Sequence, residues 1–273
     1  MSADDRTALH GELAALALET ARAAADFIRG ERPEGRVEVA DTKSSPTDVV
    51  TVIDRGTEKL IQERILARRP GDGFLGEEGG ERDGTSGVLW VVDPIDGTVN
   101  FIYGIPAYAV SIGASVDGVV EVGCVIDVAS GEEFTAVTGA GSYRRPRPDA
   151  DPVRLAAKTP PALGHALVAT GFNYVLDVRL RQAEAVVPLL AAVRDIRRTG
   201  SAALDLCGLA DGRLDAYVEQ GLKPWDLAAG GLVASEAGVV LSGLDGPPDE
   251  RLTMAAPAAL AEEFFALVRS CGF

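Results

Sequence analysis

Leu9, Leu13, Leu16, Ala24 and Phe27, with Thr20 between them, recur at three- and four-residue spacing, and the run ends at Gly30. This period predicts a long amphipathic helix over residues 4–29. A polar stretch from Glu31 to Asp41 follows, then the turn-like Lys43-Ser44-Ser45-Pro46-Thr47-Asp48 and a β-branched run from Val49 to Ile53. Asp54 precedes a second amphipathic helix that Pro70-Gly71 stops. Phe74-Leu75 leads into a glycine-flanked loop, Gly76-Glu77-Glu78-Gly79-Gly80, and the apolar Val88 to Val92 reads as a buried strand halted at Asp93 and Pro94. From 107 to 145 apolar runs alternate with Asp117-Gly118, Ser130-Gly131 and Gly139 to Gly141, the pattern of an antiparallel meander.

Pro146 to Pro161 carries five prolines and marks the boundary between an N-terminal α+β subdomain (1–150) and a C-terminal α/β subdomain (151–273), with a site expected between them. Beyond it helices and strands take turns. Strands are expected at Ala166 to Thr170, Asp195 to Arg198, Leu214 to Val218, Val239 to Leu241 and Leu252 to Met254. Helices are expected at Arg179 to Ala192, Ser201 to Ala210, Trp225 to Ala237 and Ala258 to Val268. This alternation implies an α/β layer.

Composition narrows the class. With 273 residues and 47% hydrophobic content, the chain can fill a core without staples. Cys124, Cys207 and Cys271 are odd in number and far apart, which argues against a disulfide framework or a zinc site and for a reducing cytosol. Residues 1–30 lack the pattern of a signal peptide, and no apolar run is long enough for a membrane span. The net charge of −15, from 41 acidic and 26 basic side chains, offers no footprint for nucleic acid. It would also repel a phosphate ester unless bound divalent cations reverse the local sign.

The candidate chemistry gathers in Trp90-Val91-Val92-Asp93-Pro94-Ile95-Asp96-Gly97-Thr98-Val99-Asn100. Two carboxylates stand three positions apart past a strand end, and the amides of Gly97 and Thr98 could face an anion. Each feature alone has a plain reading. The Asp-Pro-x-Asp-Gly-Thr segment can be simple turn chemistry, Glu77-Glu78 a solvated acidic turn, and Asp226 an acid favoured by the helix dipole. An EF-hand fails for want of its spaced acids and closing Glu. Together, acids that hold a cation beside amides that hold a phosphate point to metal-assisted phosphoryl chemistry. His10 and His165, the only histidines, lie away from these segments.

As a set, Gly76-Glu77-Glu78, Trp90 to Phe101 and Pro224-Trp225-Asp226-Leu227-Ala228-Ala229-Gly230 closely resemble the inositol monophosphatase family of magnesium-dependent, lithium-sensitive phosphatases. Lys43 to Asp48 with Asp54, and Arg198-Thr199-Gly200-Ser201-Ala202-Ala203, also fit its pattern. The resemblance implies a layered αβαβα sandwich, the sugar-phosphatase fold, and two to three Mg²⁺ ions. Glu77, Asp93 and the carbonyl of Ile95 would hold the first ion, and Asp93, Asp96 and Asp226 the second; Glu77 would reach a weaker third. Oxygen-only ligands suit Mg²⁺. Thr98, with Asp54 behind it, corresponds to the pair that orients and deprotonates a metal-bound water, and Gly97 and Thr98 supply the phosphate amides. Lys43 matches a basic position near the metal site, a surface lysine being the other reading.

The resemblance also implies that Glu219 receives polyol hydroxyls, with Gly200, Ser201 and Ala202 lining the same pocket. Inositol 1-phosphate is the expected substrate. Lys223 is read either as a second phosphate contact, which keeps fructose 1,6-bisphosphate and histidinol phosphate open, or as part of a strand-to-helix turn. The segment Tyr143 to Pro152 departs from the family pattern. A homodimer and a cytoplasmic location follow from the resemblance, with a small-molecule phosphate ester as partner and neither nucleic acid nor membrane. A regulatory, protein-binding role is the alternative of a different class.

Overall fold

Ser2 opens the first helix by accepting a hydrogen bond from the Asp5 amide while the Asp5 carboxylate takes the Ser2 amide, a reciprocal cap. The computed structural model describes residues 2–33, 35, 37–42 and 49–273. The expected turn at 43–48, with Lys43, lies outside the described residues. Helix α1 (Ala3–Glu31) buries Leu13, Leu16, Ala17, Thr20, Ala21, Ala24 and Ile28. Ile28 takes the fully buried place expected for Phe27, which is half-buried and lies against Gly56 of the second helix. The small side chains let α1 approach a sheet closely.

A two-stranded ribbon, β1 (Asp41–Thr42) with β2 (Val49–Val50), leads into α2 (Val52–Arg68). Asp54 does not precede this helix. It is the third residue within it, where its carboxylate completes a capping box with Thr51. Then come β3 (Gly73–Gly76), β4 (Glu81–Arg82), β5 (Val88–Asp96), α3 (Thr98–Tyr103), β6 (Ala109–Val116), β7 (Val119–Asp127), β8 (Glu133–Val137), β9 (Gly141–Arg145) and β10 (Val153–Arg154). The strands form one sheet in the order β10-β9-β8-β7-β6-β5-β3-β4, so the expected meander is present as β6 to β9. Only the β3–β5 pair is parallel. Sheet pairing reaches Arg154, inside the proline-rich stretch read as a boundary.

Strand β5 does not stop at Asp93. Asp93 pairs with Ser111 and Asp96 with Ala109, with a bulge between them. The bulge accommodates Pro94, which has no amide to donate to a regular ladder, and bends the strand where its acids must turn.

A short 3₁₀ turn, Leu163–His165, precedes β11 (Leu167–Thr170), α4 (Leu176–Ala192), β12 (Asp195–Arg197), α5 (Ala202–Ala210), β13 (Ala216–Glu219), α6 (Pro224–Glu236), β14 (Val239–Ser242), β15 (Thr253–Pro257) and α7 (Ala258–Cys271). Helix α4 begins three residues before the expected Arg179 and contains Pro188. The second sheet has the order β12-β11-β13-β15-β14, with β15 antiparallel to both neighbours. Helices α1 and α2 cover the outer face of the first sheet, and α5 and α6 lie between the sheets. Helices α4 and α7 pack beside the second sheet, which completes the αβαβα sandwich. No described helix is long and apolar enough to cross a membrane.

The central layer depends on glycines. A Cβ on Gly123 of β7 would come within 2.8 Å of the Ala229 carbonyl oxygen on α6. Gly123→Ala is therefore expected to overpack this contact and destabilise the fold by about 1–3 kcal/mol. Thermal unfolding followed by circular dichroism checks this; an unchanged midpoint would contradict it.

Candidate active site

The bulge in β5 turns Asp93 and Asp96 toward the gap between the sheets, where the first turn of α6 delivers Asp226. Carboxylate oxygens of these three residues all lie within 4.8 Å of one another. Asp93 accepts a hydrogen bond from the Ile95 amide at 3.0 Å. Asp96 accepts from Ser201 Oγ at 2.5 Å and the Ala203 amide at 2.7 Å, at the start of α5. Asp226 follows Pro224 at the head of α6 and takes the Lys223 amide at 2.6 Å. Glu77, just beyond β3, gives its amide to the Val92 carbonyl at 3.2 Å and hydrogen-bonds through its side chain to Asp93.

These acids are bound by amides and a hydroxyl, and they repel one another. Burial, followed by the charges of Glu77, Asp96 and Asp226, raises Asp93 well above the ordinary carboxylate range. Burial raises Asp226 likewise, with Asp96 and Glu77 adding to it. Asp96 is pushed up to about 6, mainly by burial, although the bonds from Ser201 and Ala203 oppose the rise. Such a set of hard oxygen donors fits a divalent cation, which would remove the repulsion.

Gly97, at φ +94°, occupies the left-handed region between β5 and α3. Thr98 opens α3, and its hydroxyl lies 3.1 Å from both Asp54 Oδ1 and the Ile95 carbonyl. Asp54 is held in turn by the Thr51 amide at 3.0 Å and by the Thr51 hydroxyl. Burial raises the Asp54 carboxyl despite these bonds. Asp54 sits behind Thr98, off the wall of the cleft.

That cleft, of about 400 Å³, brings together Glu77, Asp93, Ile95, Asp96, Gly97, Thr98 and Asp226 with Gly200, Ser201, Ala202 and Glu219. Glu219 accepts from the Tyr217 hydroxyl at 2.6 Å, and burial pushes it up to about 7. It lies over Gly171, whose Cβ, if present, would come within 2.0 Å of its carboxylate. Lys223 is at the rim, with its ammonium 2.8 Å from Glu250. His10 is bound to Glu121 at 2.5 Å, on the α1 side of the first sheet.

Several residues around the site were not singled out from sequence. Thr51 stands three positions before Asp54, a capping-box spacing that was legible. Tyr217, behind Glu219, and Asp205, bonded by the Thr199 hydroxyl, gave no local signal because their partners are fixed by sheet and loop geometry.

A layered αβαβα fold with an acid-lined cleft between its two sheets defines the class: a metal-dependent phosphatase. The chain belongs to the inositol monophosphatase family, whose model matches residues 10–272. It is 46% identical over 272 residues to the inositol-1-monophosphatase SuhB of Mycobacterium tuberculosis, covering 94% of this chain and 93% of that one. It is also 38% identical over 239 residues to the Nus factor SuhB of Vibrio cholerae, covering 86% of each. The solved structure of Mycobacterium tuberculosis SuhB superposes with a TM-score of 0.82 at 43% identity, over 96% of this chain and 97% of that chain.

The titration of the site has a measurable consequence. Asp96 is raised to about 6 and Asp205 to about 8 from 3.8, and Glu219 to about 7 from 4.5, chiefly by burial. The folded state therefore binds more protons than the unfolded chain. This contribution to stability is fully present below the unfolded pKa values, near pH 4, and is lost as pH rises through about 6 to 8. The melting temperature of chelator-treated protein is expected to fall across that window, and excess Mg²⁺ to offset part of the fall. A melting temperature that climbs with pH in the chelated protein would contradict this linkage.

Proposed function

We propose that this chain is a Mg²⁺-dependent phosphomonoesterase that hydrolyses inositol 1-phosphate to inositol and phosphate. The observation that carries the reading is the convergence of Asp93, Asp96 and Asp226 beside the Thr98–Asp54 pair. The mycobacterial relative's name supports the substrate. In this reading Glu77, Asp93, the Ile95 carbonyl, Asp96 and Asp226 hold two to three Mg²⁺ ions. Bound Mg²⁺ supplies Lewis-acid chemistry, lowering the pKa of water and neutralising charge on the phosphate.

The chain's own groups do the rest. Thr98 Oγ receives a proton from the attacking water as it passes its own to Asp54 Oδ1. Burial suits Asp54 to that task by raising its proton affinity. The amides of Gly97 and Thr98 face the phosphate oxygens, and the wall formed by Gly200, Ser201 and Ala202 confines the leaving group. Glu219, steadied by Tyr217, accepts from hydroxyls of the polyol. Lys223 pairs with Glu250 at the rim, which argues against its serving a second phosphate and favours a monophosphate over fructose 1,6-bisphosphate.

The two-subdomain division, with the site between residues 1–150 and 151–273, belongs to the same proposal, as do Li⁺ sensitivity, a homodimer and a cytoplasmic location. A second, protein-binding role is favoured by the name of the Vibrio cholerae relative, a Nus factor.

Phosphate release measured over inositol phosphates, fructose 1,6-bisphosphate and histidinol phosphate is expected to be fastest with inositol 1-phosphate and to require Mg²⁺. Millimolar Li⁺ is expected to inhibit it. Asp93→Asn should abolish turnover while the protein remains folded. Thr98→Ala should lower kcat by roughly 10²–10⁴-fold, the range for a positioned proton transfer. Undiminished turnover in either folded variant would sink the assigned roles.

A further inference from the structure

Helix α2 presents two buried acids one turn apart, Asp54 and Glu58, 1% and 5% exposed. A four-residue separation places them on one face of the helix. Asp54 reaches Thr98. Glu58 points into the turn that carries Glu77: its Oε2 accepts from the Glu78 amide at 2.7 Å and its Oε1 from the Gly80 amide at 2.8 Å. The turn is also closed by the Gly76 amide on the Gly80 carbonyl at 2.7 Å, and the Glu77 amide is tied to β5 through Val92 at 3.2 Å.

The glycines of this turn are shaped to the carboxylate. A Cβ on Gly76 would stand 2.2 Å from Glu58 Oε2, and one on Gly80 would stand 2.7 Å from Oε1. The backbone on both sides of Glu77 thus closes on one buried side chain from a different element. Charge-assisted bonds from two amides are strong and directional, so they fix the angle at which the turn leaves β3.

We infer that Glu58 is a positioning residue for metal binding, clamping the Gly76–Gly80 turn so that the Glu77 carboxylate is held toward Asp93. The inference rests on Glu77 being a metal ligand. Glu58 acts on the cation through the backbone beside Glu77, as outer-shell groups orient the ligands that touch a metal. Asp54, on the preceding turn, acts on the proton path instead, so the two acids of α2 serve separable functions.

The test is a Mn²⁺ titration read by electron paramagnetic resonance of the free ion, at a temperature where circular dichroism shows every variant folded. Glu77→Gln is the control. Glu58→Ala is expected to weaken binding at the Glu77-dependent site by about 10–100-fold, the range for loss of an outer-shell partner. Glu58→Gln, which keeps the shape and one acceptor, should fall between Glu58→Ala and the parent protein. Gly76→Ala, which displaces the intact carboxylate, should reproduce the loss.

A packing role alone would lower the melting temperature and leave Mn²⁺ affinity unchanged. If Glu77→Gln weakens Mn²⁺ binding while folded Glu58→Ala and Gly76→Ala bind as the parent does, the inference is wrong and Glu77 remains a ligand. If Glu77→Gln itself binds Mn²⁺ normally, the assignment of Glu77 fails and the inference falls with it.

Discussion

Mutual repulsion among buried carboxylates is the constraint around which this protein is built. Asp93, Asp96 and Asp226 are gathered within 4.8 Å, with Glu77 bonded to Asp93, and burial raises the proton affinity of all three clustered aspartates. In water such a group would separate. Here each acid is anchored through different backbone: Asp93 by its own bulge, Asp96 by the head of α5, Asp226 by the head of α6. The arrangement carries a high charge density that a divalent cation relieves, so the same feature strains the protein without metal and drives metal binding.

The layered fold follows from this requirement. Two sheets, with α5 and α6 between them, allow two helix N-termini and one strand end to meet at a single cleft. The amides at those helix starts bond the acids and stabilise their negative charge. Close approach in the middle layer needs small residues, and Gly113 and Gly123 on the first sheet meet Ala228 and Ala229 on α6. These contacts seat on the first sheet the helix that carries Asp226. The remaining face of the site is set from the outer helical layer, where α2 holds Thr98 through Asp54 and the Glu77 turn through Glu58.

Much of this was legible in the chain itself where the signal is periodic or local. The meander from β6 to β9 was marked by its turn dipeptides, and most helices by their apolar spacing. Boundaries slipped where a local rule competed with a longer-range one. Pro94 looked like the end of β5, yet pairing resumed beyond it because Asp96 finds Ala109 across the bulge. Asp54 looked like a residue ahead of its helix because its capping bond is made from the third helical position back to Thr51. On α1, Ile28 is fully buried, while Phe27 turns toward Gly56 of α2 and stays half-buried.

The sequence by itself determined the residue types of the site and their order: acids in glycine-flanked or strand-end segments, no histidine among them, and a resemblance spread over most of the chain. It could do so because those features lie within a few residues of one another or match a pattern directly. The resemblance grouped Asp93, Asp96 and Asp226, but only the tertiary structure put their oxygens within reach of one another, by packing α6, which carries Asp226, against the sheet that contains β5. The tertiary structure alone showed that Glu58 stands behind Glu77 and Tyr217 behind Glu219. Of these, Glu58 has partners about twenty positions away, and no periodicity in a linear chain records a hydrogen bond from one buried side chain to the backbone of a distant turn.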